Sequence, residues 1–143
     1  MNTSINTIQG EYDTNANQTS KSLIWTGRVI STLVVLFMLL DGVMKLVKPA
    51  PVMQATARLG FPDSAITCIG IVLLACTVLY AIPRTAILGA ILLTGYLGGA
   101  VATQVRAGSS LFETLFPVIF GVLVWGGIFL RDGRLRAMIP LRR

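Results

Sequence analysis

The sequence has no histidine and few charged side chains, and both absences narrow what the chain can do. Only 13% of its 143 residues are charged, whereas 54% are hydrophobic, and the mean hydropathy is +0.75. The lack of histidine removes the commonest general base and metal ligand. No phosphate-binding loop, nucleophile triad or metal-ligand spacing is present either. We therefore expect no metal site and no catalytic activity from this chain on its own.

Cysteine is also scarce. The two cysteines, Cys68 and Cys76, lie in one predicted helix, and a separation of eight residues places them about 12 Å apart along its axis. That distance is too long for a disulfide. No Cys-x-x-Cys pair exists, so a thiol-redox membrane enzyme is not expected.

Long apolar runs are what the sequence does contain. Four of them are long enough to cross a bilayer core of roughly 30 Å, and they use most of the chain. The predicted spans are residues 23–46, 64–82, 85–105 and 111–130. They predict an all-α fold: one integral membrane four-helix bundle over residues 23–130. Pro51–Leu59 predicts a short amphipathic helix in the membrane interface between the first and second spans. The nearest alternative is an odd number of spans, with the fourth segment re-entrant.

The two ends of the chain are polar. Residues 1–22 have no periodicity and predict a disordered tail, and they do not resemble a signal peptide. Residues 131–143 contain five arginines and predict a basic tail that binds anionic lipid.

Positive charges indicate the orientation. Four spans place both termini on one side, which receives eight of the 12 lysines and arginines, against four on the other. The positive-inside bias therefore predicts a multi-pass protein of the bacterial inner membrane with both termini in the cytoplasm. Because these charges flank apolar spans, the expected partner is the lipid bilayer and not nucleic acid.

Small residues form one narrow face of the third span. They are Gly95, Gly98, Gly99 and Ala102, which make two small-xxx-small pairs. Such a face permits close backbone contact between membrane helices. We expect the other spans to pack around this helix, although glycine is also simply common in membrane helices.

The predicted topology collects five polar side chains near the outer mouth of the bundle. They are Asp41, Lys45, Gln104, Arg106 and Glu113. Ionisable groups at membrane depth suggest a functional site. Each also has a structural interpretation: Asp41 and Lys45 can pair one helical turn apart, and Ser110 with Glu113 matches a capping box. Arg106 can reach the head groups, and Gln104 projects away from the glycine face, so it need not face the others.

Tyr96 is the other candidate. It lies near the middle of the third span, where its hydroxyl needs a hydrogen-bond partner. That partner is either a quinone or another small ligand, or else a neighbouring carbonyl or threonine.

Several short segments of the sequence together resemble the DoxX-like family of small bacterial membrane proteins. They are residues 41–46 followed by Pro49, 58–62, 80–85 with 88–100, and 115–118. The resemblance covers about Gly27 to the C-terminus. It implies a four-helix membrane protein with relatives linked to quinol oxidase or thiosulfate:quinone oxidoreductase complexes. Relatives often carry histidine where this chain has Gln104, and an amide cannot relay protons as imidazole does.

Two functional hypotheses follow. The first is an accessory subunit of a quinone-linked membrane redox system, with quinone as its cofactor and a redox protein or a second copy of the chain as its partner. The alternative is a small transporter or permease subunit.

Overall fold

The structure, a computed structural model, describes residues 2–132 and Leu135, and it describes side chains from Lys21 onward. Its helices are α1 (Asn2–Val47), α2 (Ala50–Arg58), α3 (Asp63–Ala81), α4 (Ala86–Arg106) and α5 (Leu111–Arg131). Residues 21–47 of α1, together with α3, α4 and α5, are long and apolar enough to cross a membrane. The predicted all-α fold with four spans is confirmed, and each predicted span end lies within two residues of the observed one.

The first helix begins much earlier than the sequence predicts. Residues 1–22 were expected to be disordered, whereas α1 already begins at Asn2. The prediction rested on low hydrophobicity, which says only that this segment has no apolar face to bury. The segment contains no proline, and extending a helix beyond an existing span costs far less than starting one. The predicted disorder is therefore wrong for the described part of the segment.

The short second helix lies across one end of the bundle, which we call the α2 end. Pro51 stands in its first turn, where a missing backbone N–H costs nothing. Thr56 and Leu59 are half-buried against the bundle, whereas Gln54 and Arg58 are exposed. This alternation confirms the predicted amphipathic helix between the first and second spans.

The start of α5 has the predicted capping box. The Ser110 hydroxyl accepts a hydrogen bond from the Glu113 backbone N–H, and the Glu113 carboxylate accepts one from the Ser110 backbone N–H. Pro117 lies inside α5 and is buried, and the helix continues through it to Arg131.

The four spans form a ring in which no helix is central. α1 packs against α3 and α5, and α4 packs against the same two helices, so α1 and α4 occupy opposite corners. The sequence predicted that the others would pack around the third span, which is α4. That prediction is wrong, because each span has two main neighbours.

The predicted glycine face of α4 does not make the helix contacts. Gly95, Gly98 and Gly99 are exposed, and a Cβ at any of them would meet no described heavy atom within 4 Å. Ala102 is exposed as well. Among the residues that the structure describes, these four therefore form no packing seam. Helical periodicity places these residues on one face of α4. It does not show which face of α4 meets a neighbouring helix.

Other glycines make the close contacts. The positions where an added Cβ would lie within about 3 Å of a neighbouring helix are Gly27, Gly42, Gly70, Gly89 and Gly127. The Gly42 and Gly70 contacts join α1 to α3 near the α2 end. The Gly27 and Gly127 contacts join α1 to α5 near the opposite end, which we call the terminal end. In a membrane, close backbone approach stabilises helix packing more than the burial of leucine does, because lipid tails are as apolar as leucine.

Tyr80 occupies the centre of the terminal end. Its side chain is fully buried, and its hydroxyl donates a hydrogen bond to the Val124 carbonyl at 3.0 Å and contacts the Ser31 hydroxyl at 3.2 Å. The phenol therefore links α3 to α5 and to α1. Gly89 of α4 lies directly against the Tyr80 backbone, so all four spans meet around this residue.

Only the start of the predicted basic tail is described. Arg131 is half-buried, with its guanidinium carbon 5.5 Å from the centre of the Tyr80 ring and its Nη2 3.5 Å from the Tyr80 carbonyl. Residues 133–134 and 136–143, which carry the other four arginines, lie outside the described residues.

We predict that Gly89→Ala destabilises the bundle by about 1–3 kcal/mol, because the added methyl would overlap the Tyr80 backbone and force α3 from α4. Gly98→Ala is the matched control on the same helix. It meets nothing, and replacing a helical glycine should be neutral or stabilising by roughly 0.5–1 kcal/mol. The measurement is the free energy of unfolding in lipid bicelles. Equal effects of the two substitutions would contradict this assignment of the packing glycines.

Candidate ligand-binding site

A cavity of about 510 Å³ lies inside the α2 end of the bundle. All four spans and the segment around α2 contribute to its lining, which is mainly apolar. The polar side chains that line it include Asp41, Lys45, Tyr96 and Gln104. Four of the six ligand-binding candidates predicted from sequence therefore meet at one cavity. A largely apolar cavity with a few polar groups is the usual form of a small-molecule site.

The charged pair at the cavity comes from one helix. Lys45 Nζ forms an ion pair with Asp41 Oδ2 one turn away on α1, as the spacing predicts. The Lys45 side chain is 19% exposed and that of Asp41 39%. Because the two charges neutralise each other, the cavity gains two polar groups without a net charge.

Tyr96 provides an uncommitted hydroxyl. It is half-buried in the cavity wall, and its hydroxyl has no hydrogen bond with any residue that the structure describes. Nearby threonines are already committed, since Thr94 and Thr103 each donate to a carbonyl one turn earlier on α4. A phenol left in an apolar region without a partner is costly, so Tyr96 is suited to donate to a ligand.

Gln104 also lines the cavity, and its side-chain amide has no hydrogen bond within the described part of the chain. The sequence predicts that Gln104 need not face the other polar groups, and the structure places it in the same cavity lining as Asp41, Lys45 and Tyr96. Eight residues separate it from Tyr96, so the two side chains are about 12 Å apart along α4. Tyr96 lies deeper in the bundle, and Gln104 lies nearer the α2 end.

Arg106 and Glu113 are not part of the cavity lining. Arg106 Nη2 lies 3.4 Å from the Leu59 carbonyl, so it contacts the end of α2 instead of the predicted group. Glu113 is exposed and bonds to Ser110 at the start of α5. The structural interpretation of Glu113, as a helix cap, is the one that its contacts support.

Aromatic rings form the cavity wall between α1 and α5. The Phe37 and Phe120 rings stack with centroids 4.4 Å apart, and Phe116 lies 5.0 Å from Phe120. Sequence reasoning missed this wall. Phe112, Phe116 and Phe120 recur every four residues on α5, a spacing that indicates one face of a helix. Nothing in the sequence indicates that Phe37 of α1 stacks on that face.

Residues at α2 were also missed as part of the site. Thr56, Leu59 and Phe61 line the cavity at its α2 end. The sequence predicts α2 as a surface helix, and its position over the cavity depends on the loops that carry it. Lys48 and Gly60 flank α2 with positive φ values of 53° and 80°, which turn the chain at both of its ends.

Comparison with known proteins shows the family of the chain. The model of the DoxX-like family matches residues 29–127. The chain belongs to the DoxX-like family. The match covers more than half of the chain and includes every residue that lines the cavity. Neither curated proteins nor solved structures provide a match to this chain. The family and the four spans establish a DoxX-like multi-pass membrane protein.

We predict that the Asp41–Lys45 pair behaves as a unit. Asp41→Asn alone leaves the Lys45 charge uncompensated beside the cavity, so it should destabilise more than the double variant Asp41→Asn with Lys45→Met. For a partly exposed pair we expect a coupling energy of about 0.2–1 kcal/mol. The measurement is a double-mutant cycle on unfolding in bicelles, and purely additive effects would contradict the pairing.

Proposed function

We propose that this DoxX-like protein is a quinone-binding accessory subunit of a membrane redox system. The observation that carries the proposal is the cavity between the spans, whose lining includes both an aromatic wall and a tyrosine with an uncommitted hydroxyl. A quinone has a planar apolar ring and carbonyl oxygens, so it needs a stacking surface and a hydrogen-bond donor. The rings of Phe37 and Phe120 supply the surface, and Tyr96 supplies the donor.

The role of an accessory subunit is supported by composition. The chain has no histidine, and the described residues contain no cluster of three His, Cys, Asp or Glu side chains that could hold a metal. The proposal therefore assigns electron transfer to the quinone and to a partner redox protein. The resemblance noted from the sequence, to relatives linked with quinol-oxidising or quinone-reducing complexes, agrees with this assignment.

The proposed location is the bacterial inner membrane with both termini in the cytoplasm. Its support is the distribution of positive charge, with eight lysines and arginines on the side of the termini and four on the other. In this orientation the cavity and α2 lie toward the outer surface. A second copy of the chain remains part of the proposal as an alternative partner.

Tyr96→Phe tests the proposed site, because it removes one hydroxyl and keeps the ring. We expect the amount of quinone that co-purifies with the protein to fall about fivefold, as loss of one hydrogen bond implies. The measurement is solvent extraction and chromatography of protein purified in native lipid discs, with mass spectrometry of the co-purified proteins. Trp125→Phe is the control, since its indole N–H bonds to Thr94 away from the cavity. Recovery of neither quinone nor a redox partner from wild type would reject the proposal.

A small transporter is the second candidate, and the Asp41–Lys45 pair beside the cavity is the observation that favours it. A proton-coupled carrier would use the carboxylate as its coupling group. The measurement is proton flux in proteoliposomes for wild type and Asp41→Asn. Under the quinone proposal we expect no flux from either protein. Flux in wild type that Asp41→Asn abolishes would favour the transporter.

A further inference from the structure

We infer that the ligand of the cavity enters sideways from the bilayer, through a gap between α3 and α4 at Gly95 and Gly99. We call this opening the glycine gap. The inference deepens the proposed function and rests on it. It identifies the ligand class as a molecule dissolved in lipid, with a polar head at Tyr96 and an apolar tail left in the membrane.

The glycine gap is visible in the position of the two glycines. Gly95 and Gly99 are exposed on the outside of α4, and both also line the cavity. An added Cβ at either position would meet no described heavy atom within 4 Å. On the α3 side the lining residues are Ile66 and Ile69, both apolar. The cavity therefore reaches the lipid-facing surface where α4 has no side chains to obstruct it.

The same helix pair is closed toward the terminal end. There Gly89 brings the α4 backbone against the Tyr80 backbone of α3, in the tightest of the glycine contacts that the structure describes. The two helices are therefore held together at one end and leave space for the cavity at the other. This limits the opening to the half of the interface that contains the cavity.

The segment around α2 lies at the α2 end of the cavity. Leu59 and Phe61 line the cavity at its α2 end. Two hydrogen bonds hold this segment: Arg106 Nη2 to the Leu59 carbonyl at 3.4 Å, and Lys48 Nζ to the Asp63 carbonyl at 3.0 Å. A ligand arriving from water at this end would have to pass this segment.

Aromatic rings line the interface between α1 and α5. Phe37 stacks on Phe120 and lies 5.6 Å from Phe116, so large side chains stand on this side of the cavity. Gly95 and Gly99 are the two glycines among the residues that line the cavity. Tyr96 lines the same cavity as Gly95 and Gly99, so a head group bonded to its hydroxyl can leave its tail in the gap.

The chain offers a direct probe of this entry route. It contains three tyrosines, so labelling with 3-fluorotyrosine gives three ¹⁹F signals that Tyr→Phe variants assign. The experiment titrates decylubiquinone into lipid nanodiscs that hold the full chain. For wild type we expect the Tyr96 signal to shift, and the Tyr80 signal to stay, because the Tyr80 hydroxyl is buried and already bonded.

Gly99→Leu places a side chain in the glycine gap. We expect exchange between the free and bound Tyr96 signals to slow roughly tenfold, because α3 and α4 must then move apart before a ligand molecule can enter the cavity. The bound chemical shift should be retained. Gly98→Leu is the matched control: Gly98 is also exposed, but it lines the neighbouring groove between α4 and α5 and not the cavity. Arg106→Gln tests the opposite route, since it removes a hydrogen bond that holds the α2 segment.

Lateral entry is supported if Gly99→Leu slows exchange while Gly98→Leu and Arg106→Gln match wild type. It is overturned if Arg106→Gln accelerates exchange and Gly99→Leu does not change it, which would indicate entry past α2. It is also overturned if Gly99→Leu lowers affinity with an unchanged association rate, because the glycines would then only shape the cavity. If the wild-type Tyr96 signal does not shift at all, the proposed quinone site itself fails. The two failures are therefore distinguishable.

Discussion

The close approach of the four spans around Tyr80 is the contact on which the rest of the bundle depends. A phenol hydroxyl without a partner is expensive in an apolar environment, and here it bonds to the Val124 carbonyl and meets the Ser31 hydroxyl. These partners lie on α5 and α1, so satisfying one polar group requires three helices to meet. Gly89 then allows α4 to approach the same point. Polar satisfaction and small-residue packing therefore act together at the terminal end.

Close glycine contacts occur at both ends of the bundle, and the cavity lies at the α2 end. The close contacts of α3 with α4 and of α1 with α5 lie near Tyr80, while Pro117 and three phenylalanines occupy the α2 end of the interfaces. The rings of Phe37, Phe116 and Phe120 line the cavity at that end. Tyr96 lines the same cavity with its hydroxyl uncommitted, whereas Tyr80 has its hydroxyl bonded. Two tyrosines of similar appearance in the sequence thus have different roles: one joins helices and one is available to a ligand.

Local features of the chain were predictable because their causes are local. The spans follow from hydropathy. The Asp41–Lys45 pair follows from a spacing of one helical turn, and the Ser110–Glu113 cap joins residues that are three positions apart. The sequence predicts only in part that Asp41 and Gln104 line one cavity. Topology placed both near the same end, but the rotation of α4 about its axis decides that Gln104 faces inward.

The sequence by itself determined that this is a four-span membrane protein of the DoxX-like family, with a charge pair on α1 and a short helix across one end. Those properties depend on composition and on spacing along one helix. Only the tertiary structure decided which glycines bring helices together and which leave an opening. It also decided that Phe37 stacks on α5. The physical reason is that periodicity assigns a residue to a face of its own helix, whereas contact depends on which faces of separate helices meet.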